Sequence, residues 1–410
     1  MLAPACYPLT GPECIVNAKL ILAMLRDGWE VDVLSFRHKG TFYPAAAEGH
    51  WQAVEQRMIY SPAELGRRSF GRLWAEAWGS LGTGYAMLGA GWAHWAVKQG
   101  IRMLRRRNYD VLMSRSWPGF LAGMILARSS GCPWIANWND PWPQAAYPPP
   151  YGRGNHSARP AQRRLLREVV ARARWHSFPC AALREHMLPL MGQSVLERSS
   201  IIPHAGMVLP EGGRPQSRSE TFRLCHAGTF DRVRSPDVFL EGFAKFLRLT
   251  RSGSRVELKL IGDGNTAAQT IARLGLSGHV IDVGRMSYDR SLSAMADSDV
   301  LVILEAQFPK GVFLPSKFVD YVQVGRPILA VSPAVGALAD LLNVHGAGLA
   351  ADNTSSDAIA AAIDTLYRSW QAGQLEQRYS SAHLQSLYNA ETILNLHRQM
   401  FRSAGIGGTA

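Results

Sequence analysis

A chain of 410 residues, 47 % hydrophobic and 19 % charged, is long enough for two full cores, and its ordinary globular composition excludes the disordered and fibrous classes. Its five scattered cysteines (Cys6, Cys14, Cys132, Cys180 and Cys225) form no C-x-x-C, which argues for a reducing compartment and against a disulfide framework or zinc site. The formal charge of +12 sits almost wholly in residues 1–200, where 24 Lys/Arg face 13 Asp/Glu, whereas 201–410 hold 20 against 19.

That imbalance suggests an anionic partner for the first half: a membrane surface, a lipid phosphate or nucleic acid. No nucleic-acid signature is present, so the membrane or lipid phosphate ranks first, with a merely solvating excess as the alternative. The start, MLAPACYPLTGP, has neither a basic n-region nor a sustained apolar h-region, so no signal peptide is expected. The expected place is the cytoplasm, peripherally on the membrane's cytoplasmic face.

Met1–Cys6 reads as a short first strand. Thr10-Gly11-Pro12-Glu13 then opens a helix whose apolar stripe is Ile15, Ala18, Leu22 and Leu25, with Gly28 as its stop. Trp29–Ser35 alternates as a second strand. From Arg57 to Arg107 the composition changes: Trp74, Trp78, Leu81, Tyr85, Leu88, Trp92 and Trp95 recur at steps of four and three. This predicts one continuous helical face, with Arg67, Arg68 and Arg72 before it and Arg102, Arg105, Arg106 and Arg107 after it. Residues 79–97 carry no charge, yet abundant glycine, scarce leucine and His94 argue against a membrane span. Three readings stay open: a helix lying aromatic side down in a membrane interface, a stripe packed on the first sheet, and the lining of an oily groove.

Asp110–Ser114 reads as a strand, Trp117–Ser129 as a helix and Pro133–Asn137 as another strand. At the carboxyl end of the last sits Trp138-Asn139-Asp140-Pro141-Trp142, where ligand chemistry gathers in open α/β sheets. Asp140 is thus either a site residue or a turn cap. The Pro- and Gly-rich loop 141–155 reads as a mobile lid. Arg159–Trp175 predicts a basic amphipathic helix with Leu166, Val169, Val170 and Ala173 on one side and six arginines elsewhere. It suits anionic headgroups or a pyrophosphate, and equally a solvated face. After strands near His176–Phe178 and Ser200–Pro203, the polar stretch 207–221 reads as a linker between domains at 1–206 and 222–385.

The second half restarts with a strand, Phe222–Ala227, then the loop Gly228-Thr229-Phe230-Asp231-Arg232-Val233-Arg234-Ser235-Pro236 and a helix. Glu257–Ile261 is a strand ending in Gly262-Asp263-Gly264. This is not G-x-G-x-x-G and no acidic residue follows at dinucleotide spacing, so a dehydrogenase is disfavoured. Asp297-Ser298-Asp299 lies between a helix and a strand and reads as boundary punctuation rather than a metal pair. His279–Val283, Asp299–Ile303, Ile328–Val331 and Gly348–Ala350 complete a parallel sheet alternating with helices. Within Lys310–Val331, Pro315 and Ser316 start a helix that Gly325 and Pro327 stop. Lys317 and Asp320 share its face near the N-terminus. A cation, a carboxylate and free N–H groups there suit a phosphorylated, hydroxyl-bearing ligand, with an ordinary surface ion pair as the alternative.

The stretch PSKFVDYVQVGRPILA is similar to the donor-site segment of GT-B glycosyltransferases, specifically the large retaining family 4. In that family Pro-Ser-Lys, and a Glu three residues after the Lys, precede Tyr, a Gly-x-Pro and a short strand. The resemblance is firm over Leu224–Ala350 and diffuse over Thr10–Val208. It implies an α/β protein of two facing doubly wound, Rossmann-like parallel-sheet domains, with a crossover helix and tail over 386–410 returning to the first. It also implies transfer of a sugar from a nucleoside-diphosphate donor to an acceptor hydroxyl, on a lipid-linked acceptor or a growing cell-surface polysaccharide or glycolipid.

By the same resemblance, Asp320 stands for the Glu that holds the ribose hydroxyls, while Arg234 and Lys317 stabilise the departing β-phosphate. Thr229 replaces a family Arg, for which Arg232 compensates. Gly11 and Gly228 bring backbone to the donor, Gly262 and Gly264 turn near the base, Ser316 joins the phosphate site, and Asp140 stands near the acceptor. Val312 occupies the place where many members carry a further Glu. No metal and no cofactor beyond the nucleotide sugar is implied, and no nucleic acid. The anionic membrane would be met through residues 67–107 and 159–175. A GT-B sugar-nucleotide epimerase and a non-catalytic polysaccharide-assembly scaffold remain as alternatives.

Overall fold

The computed structural model describes residues 1–8, 11–37, 51–64, 70–154, 158–207, 220–231, 233–250, 255–263 and 265–407. The chain divides into two compact units, Met1–His204 with Ile393–Ala410, and Ala205–Thr392.

In the first unit, helix α1 (Pro12–Arg26) begins at a proline, whose missing N–H no helix partner would have used, with Gly11 as its cap. Strand β1 (Val33–Arg37) pairs in parallel with β2 (Met58–Glu64), the short helix α2 (Gln52–Glu55) lying between them in sequence. Helices α3 (Phe70–Thr83) and α4 (Ala90–Arg106) follow. Then β3 (Leu112–Arg115), α5 (Gly119–Ser130), β4 (Trp134–Asn137), α6 (Pro160–Arg172), β5 (Trp175–Phe178), α7 (Ala181–Met191) and β6 (Ser199–Ile201) form a parallel sheet in the order β3-β4-β5-β6.

The strand expected over Met1–Cys6 contracts to one residue. Leu2 bridges both Leu34 and Ser114, so it stitches β1 to β3. Pro4 has no N–H to continue the ladder, and only its carbonyl serves, accepting from Phe36 N at 3.2 Å. The second strand also starts later than Trp29, at Val33. The helix expected from Trp117 begins at Gly119, and the one expected to reach Trp175 stops at Arg172, because Trp175 already belongs to β5.

The aromatic stripe is the larger correction. It is not one helix: a turn over residues 84–89 folds α4 back on α3. Glycines form the seam, since a Cβ on Gly91 would lie 2.7 Å from Ala75 O and one on Gly79 would strike the backbone of Gly91. The two helices then part company. Trp92 is core, 3 % exposed, against Phe36 at 5.5 Å, whereas Trp74 and Trp78 stand 72 % and 61 % exposed on α3.

The second unit holds β7 (Thr221–Thr229), α8 (Asp237–Leu249), β8 (Arg255–Asp263), α9 (Asn265–Arg273), β9 (Val280–Gly284), α10 (Tyr288–Ala296) and β10 (Val300–Leu304). It continues with α11 (Ser316–Val324), β11 (Ile328–Ser332), α12 (Ala337–His345), β12 (Gly348–Asp352), α13 (Ser356–Gln371), α14 (Leu375–Arg378) and α15 (Ala382–Tyr388). All six strands are parallel, in the order β12-β11-β10-β7-β8-β9. The order reverses beside β7, which makes the carboxyl ends of β7 and β10 the switch point where such sheets bind ligands. Phe222, Phe239, Phe243, Phe246, Leu258 and Val302 are among the buried side chains of its core. The last helix, α16 (Ala390–Ser403), joins the first unit from Ile393 onward. There Phe401 lies 5.7 Å from the Trp29 ring, Arg398 pairs with Asp27, and Arg174 Nε donates to Ala404 O at 2.7 Å.

Candidate functional site

In the second unit the site is built where α11 meets β7. Pro315 caps α11 and Gly325 ends it in a left-handed turn, φ 82°. The buried Tyr321 hydroxyl fixes the helix to the sheet, accepting from Ala227 N at 2.8 Å and reaching Val302 O at 3.3 Å. Four residues earlier on the same helix, Lys317 is thereby laid over Gly228: a Cβ at that glycine would fall on Lys317 Nζ, and 3.3 Å from His226 Nε2. Only glycine leaves room for the ammonium. Burial, and next the Arg234 charge, lower the Lys317 pKa to about 8, against the pull of Asp231 and Asp320.

Arg234 is brought to Lys317 but is not idle. Its guanidinium forks onto Asp231, with Nε and Nη2 donating to Oδ2 at 3.0 and 2.5 Å. A phosphate would have to share it. His226 lies beneath, its Nδ1 donating to Val302 O at 2.9 Å and its ring stacked on Phe230. Burial, with Lys317 next, holds its pKa near 3, so the ring is neutral and Nε2 is an unpartnered acceptor. Gly262 pairs with Gly228 across β7 and β8, so closely that a Cβ on it would strike the Gly228 carbonyl. Thr229 ends β7 in the open and Ser316 is the first residue of α11. Arg232 and Gly264 lie outside the described residues.

Asp320 has a partner that the sequence did not announce: Tyr288, at the start of α10, donates its hydroxyl to Oδ1 at 2.6 Å. The residue after β10, Glu305, is pushed up to about 8 by burial, and its carboxylate lies 3.4 Å from where a Cβ on Gly311 would stand. Val312, in the place of the absent family Glu, is buried. Asp299, of the Asp-Ser-Asp triplet, accepts from Arg223 N at 2.7 Å at the strand boundary. Among the described residues no group of three or more His, Cys, Asp and Glu side chains is arranged to hold a metal ion.

In the first unit, Asp140 follows β4, and burial raises its pKa. It faces Glu13 on the first turn of α1, one residue beyond the Gly11-Pro12 pair. Burial pushes the Glu13 carboxyl up to about 7; Asp140 adds to this, while Ser116, Arg115 and Asn139 partly offset it. In the loop after Asp140, expected as a lid, Trp142 stacks on Trp117 at 5.3 Å, Gly154 N donates to Tyr147 O at 2.8 Å, and Tyr147 is buried. Glu13, His226, Tyr288 and Glu305 went unread in the sequence. For Glu305 a signal existed, an acidic residue directly after the buried run Val300–Leu304; the other three are placed by tertiary contacts.

Residues 15–198 match the family model described as "Glycosyl transferase 4-like domain", and residues 221–369 the one described as "Glycosyl transferases group 1". Together the two matches span most of the chain. No curated protein matches it in sequence. Among solved structures, it is similar to Alr3699/HepE of Anabaena in complex with UDP and glucose, at 16 % identity and a TM-score of 0.65, with 98 % of each chain covered. A glycosyltransferase from Rickettsia africae ESF-5 superposes with a TM-score of 0.68 at 10 % identity, over 99 % of this chain and 98 % of that one. The lipopolysaccharide outer core galactosyltransferase WaaB, in its apo form, gives 0.58 at 13 % identity over 98 % of each. At such identities these likenesses show the fold, two doubly wound parallel-sheet domains.

Proposed function

Because the chain belongs to the GT-B glycosyltransferases, with a family 4-like domain followed by a group 1 domain and a nucleotide-sugar donor, we propose the following particulars. It passes the sugar, with retention and without a metal ion, to a hydroxyl of a lipid-linked acceptor or a growing cell-surface saccharide. The observation that carries this reading is Lys317 held over Gly228 at the N-terminus of α11, with Arg234 beside it. Lys317 lies in the first turn of α11 and Arg234 is close enough to lower its pKa, and cations at a helix start suit the charge that develops on a departing β-phosphate. Asp320, steadied by Tyr288, accepts from the ribose hydroxyls, and Asp140 stands on the acceptor side.

For location, we read the first unit as docking peripherally on an anionic membrane. On α3, Phe70, Leu73, Trp74, Trp78 and Leu81 form one face and are all 61 % exposed or more, in the half that carries nearly all the positive charge. Helix α6 contributes less than its arginines suggest, since Arg164 and Arg172 both pair with Glu168. No helix among the described residues is long and apolar enough to cross a membrane.

A screen of nucleotide sugars for thermal stabilisation, followed by the anomeric configuration of the product, tests the donor, the acceptor and retention together. One stabilising donor and a product of retained configuration are expected; an inverted product would overturn retention. Sugar released only as an epimer, with no acceptor required, would overturn transfer.

A further inference from the structure

Two adjoining cavities lie in the first unit, where helices α6 and α7 meet the loop that follows β4. Each measures about 340 Å³, within the range of small-molecule sites. Ala146, Pro189 and Leu190 line both, so one borders the other. Neither is lined by a residue assigned above to donor or acceptor.

The two linings differ in kind. Besides the three shared residues, the first cavity is walled by Tyr147, Pro148 and His186. Its aromatic wall is fixed in place: His186 stacks on Tyr147 with centroids 4.8 Å apart and meets Tyr151 edge-on at 4.6 Å. Gly152 lets the chain pass close to Tyr147, since a Cβ there would stand 2.3 Å from Tyr147 O. The second cavity adds Arg163, Leu166 and Arg167 from α6. Arg163 and Arg167 stand four residues apart and so share a face, beside the one on which Glu168 pairs with Arg164 and Arg172. Arg163 is partly engaged, its Nη1 donating to Ala158 O. Arg167 is exposed and makes no hydrogen bond or ion pair among the described residues. Among those residues the linings hold a single acid, the exposed Glu185, and it borders the first cavity only.

An apolar cavity beside a pair of arginines fits a ligand with one anionic end and one hydrocarbon end. Guanidinium forks match phosphate oxygens in pairs. A free sugar would find few hydrogen-bond partners against the prolines and leucine, and a wholly apolar ligand would leave Arg167 unpaired. We propose that these cavities hold one lipid molecule bearing a phosphate monoester, with the phosphate on Arg163 and Arg167 and the hydrocarbon chain against Tyr147, Pro148, His186 and Leu190. The site is distinct from the exposed face of α3, yet α6 stands beside that hairpin: the Arg164 guanidinium lies 4.9 Å over the ring of Tyr85, in the turn after α3. A lipid bound here needs neither the donor reading nor the docking of α3.

Titration calorimetry of the full chain tests this with two soluble phosphates, dihexanoylphosphatidic acid and geranyl phosphate, each below its micelle concentration. Dihexanoylphosphatidylcholine and inorganic phosphate serve as comparisons. The proteins are the wild type, Arg167→Glu, Leu190→Gln, and Trp74→Ser combined with Trp78→Ser. At least one lipid phosphate is expected to bind the wild type about tenfold or more tightly than either comparison, and the tighter of the two names the tail. That affinity should fall about tenfold or more in Arg167→Glu and about threefold or more in Leu190→Gln, and stay unchanged in the α3 double variant. Inorganic phosphate bound as tightly as the lipids would mark a bare anion site and overturn the proposal. Phosphatidylcholine bound as tightly, no binding by either lipid phosphate, or a loss confined to the α3 variant would overturn it too. Thermal unfolding of each variant separates loss of binding from loss of fold, and binding lost only with the fold overturns the proposal.

Discussion

Replacing Glu13 by glutamine is expected to stabilise the protein by an amount that is absent below pH 4, grows between about pH 4.5 and 7 and is complete above it. The carboxyl's pKa rises from 4.5 to about 7 on folding, chiefly through burial. Below pH 4 it is neutral in both states and contributes nothing. As pH climbs through 4.5 the unfolded chain releases the proton freely, whereas the folded chain must ionise a buried group; wild-type stability therefore falls until about pH 7. At about 1.36 kcal/mol per pH unit, a rise of this size leaves wild type short by roughly 3 kcal/mol at pH 8, and glutamine, which carries no charge, recovers it. For a unit of this size the recovered stability corresponds to roughly 6–12 °C in Tm. Scanning calorimetry of both proteins at pH 4, 6 and 8 reads the difference. A Tm gain equal at all three values, or a loss at pH 8, would refute the buried-acid reasoning.

Other substitutions separate the elements of the account. Gly228→Ala puts a methyl group where Lys317 Nζ lies, so nucleoside-diphosphate affinity should drop at least about tenfold; unchanged titration calorimetry would remove Lys317 from the site. Tyr288→Phe frees Asp320 of a 2.6 Å hydrogen bond and should weaken nucleotide binding by about 1 kcal/mol, with smaller loss for the 2′-deoxy nucleotide; equal losses would point to a purely structural tyrosine. Trp92→Ser opens the core and should cost about 3–5 kcal/mol of stability, whereas Trp74→Ser with Trp78→Ser should leave the Tm nearly unchanged and weaken binding to phosphatidylglycerol vesicles; the converse pattern contradicts the division of the stripe. Transfer activity should survive a chelator, and loss restored by Mn²⁺ would overturn the metal-free reading.

The sequence made α11 readable because its signals are local: a Pro-Ser start, a Gly stop, and apolar residues between them at helical spacing. The six strands of the second unit were legible for the same reason, each being a short apolar or alternating run bounded by turn residues. Where the reading failed, the deciding contact was distant. The stripe from Trp74 to Trp95 keeps its period across the turn at 84–89, so spacing alone could not show that α4 folds back and buries Trp92 while α3 keeps Trp78 outside. Leu2 is one bridging residue because β1 and β3 accept it from either side, which no local pattern encodes. Lys317 and Asp320 were chosen from the helix, but the glycine under the one and the tyrosine on the other come from β7 and α10. The acid of Glu13 is made by burial among Arg115, Ser116, Asn139 and Asp140, which lie about a hundred residues or more away in sequence.

The central claim is that the second unit grips the diphosphate of a nucleotide sugar through Lys317 and Arg234. Titration calorimetry of UDP, GDP, ADP and CDP into the wild type, Lys317→Ala and Arg234→Ala, at pH 7 and 9, measures this. The account predicts that one of the four binds the wild type and weakens as pH rises through 8, where Lys317 loses its proton. It also predicts at least about a tenfold loss in Lys317→Ala, a smaller loss in Arg234→Ala because Asp231 already shares that arginine, and no remaining pH dependence once Lys317 is gone. A nucleotide bound equally well by all three proteins, or by none of them, would contradict it.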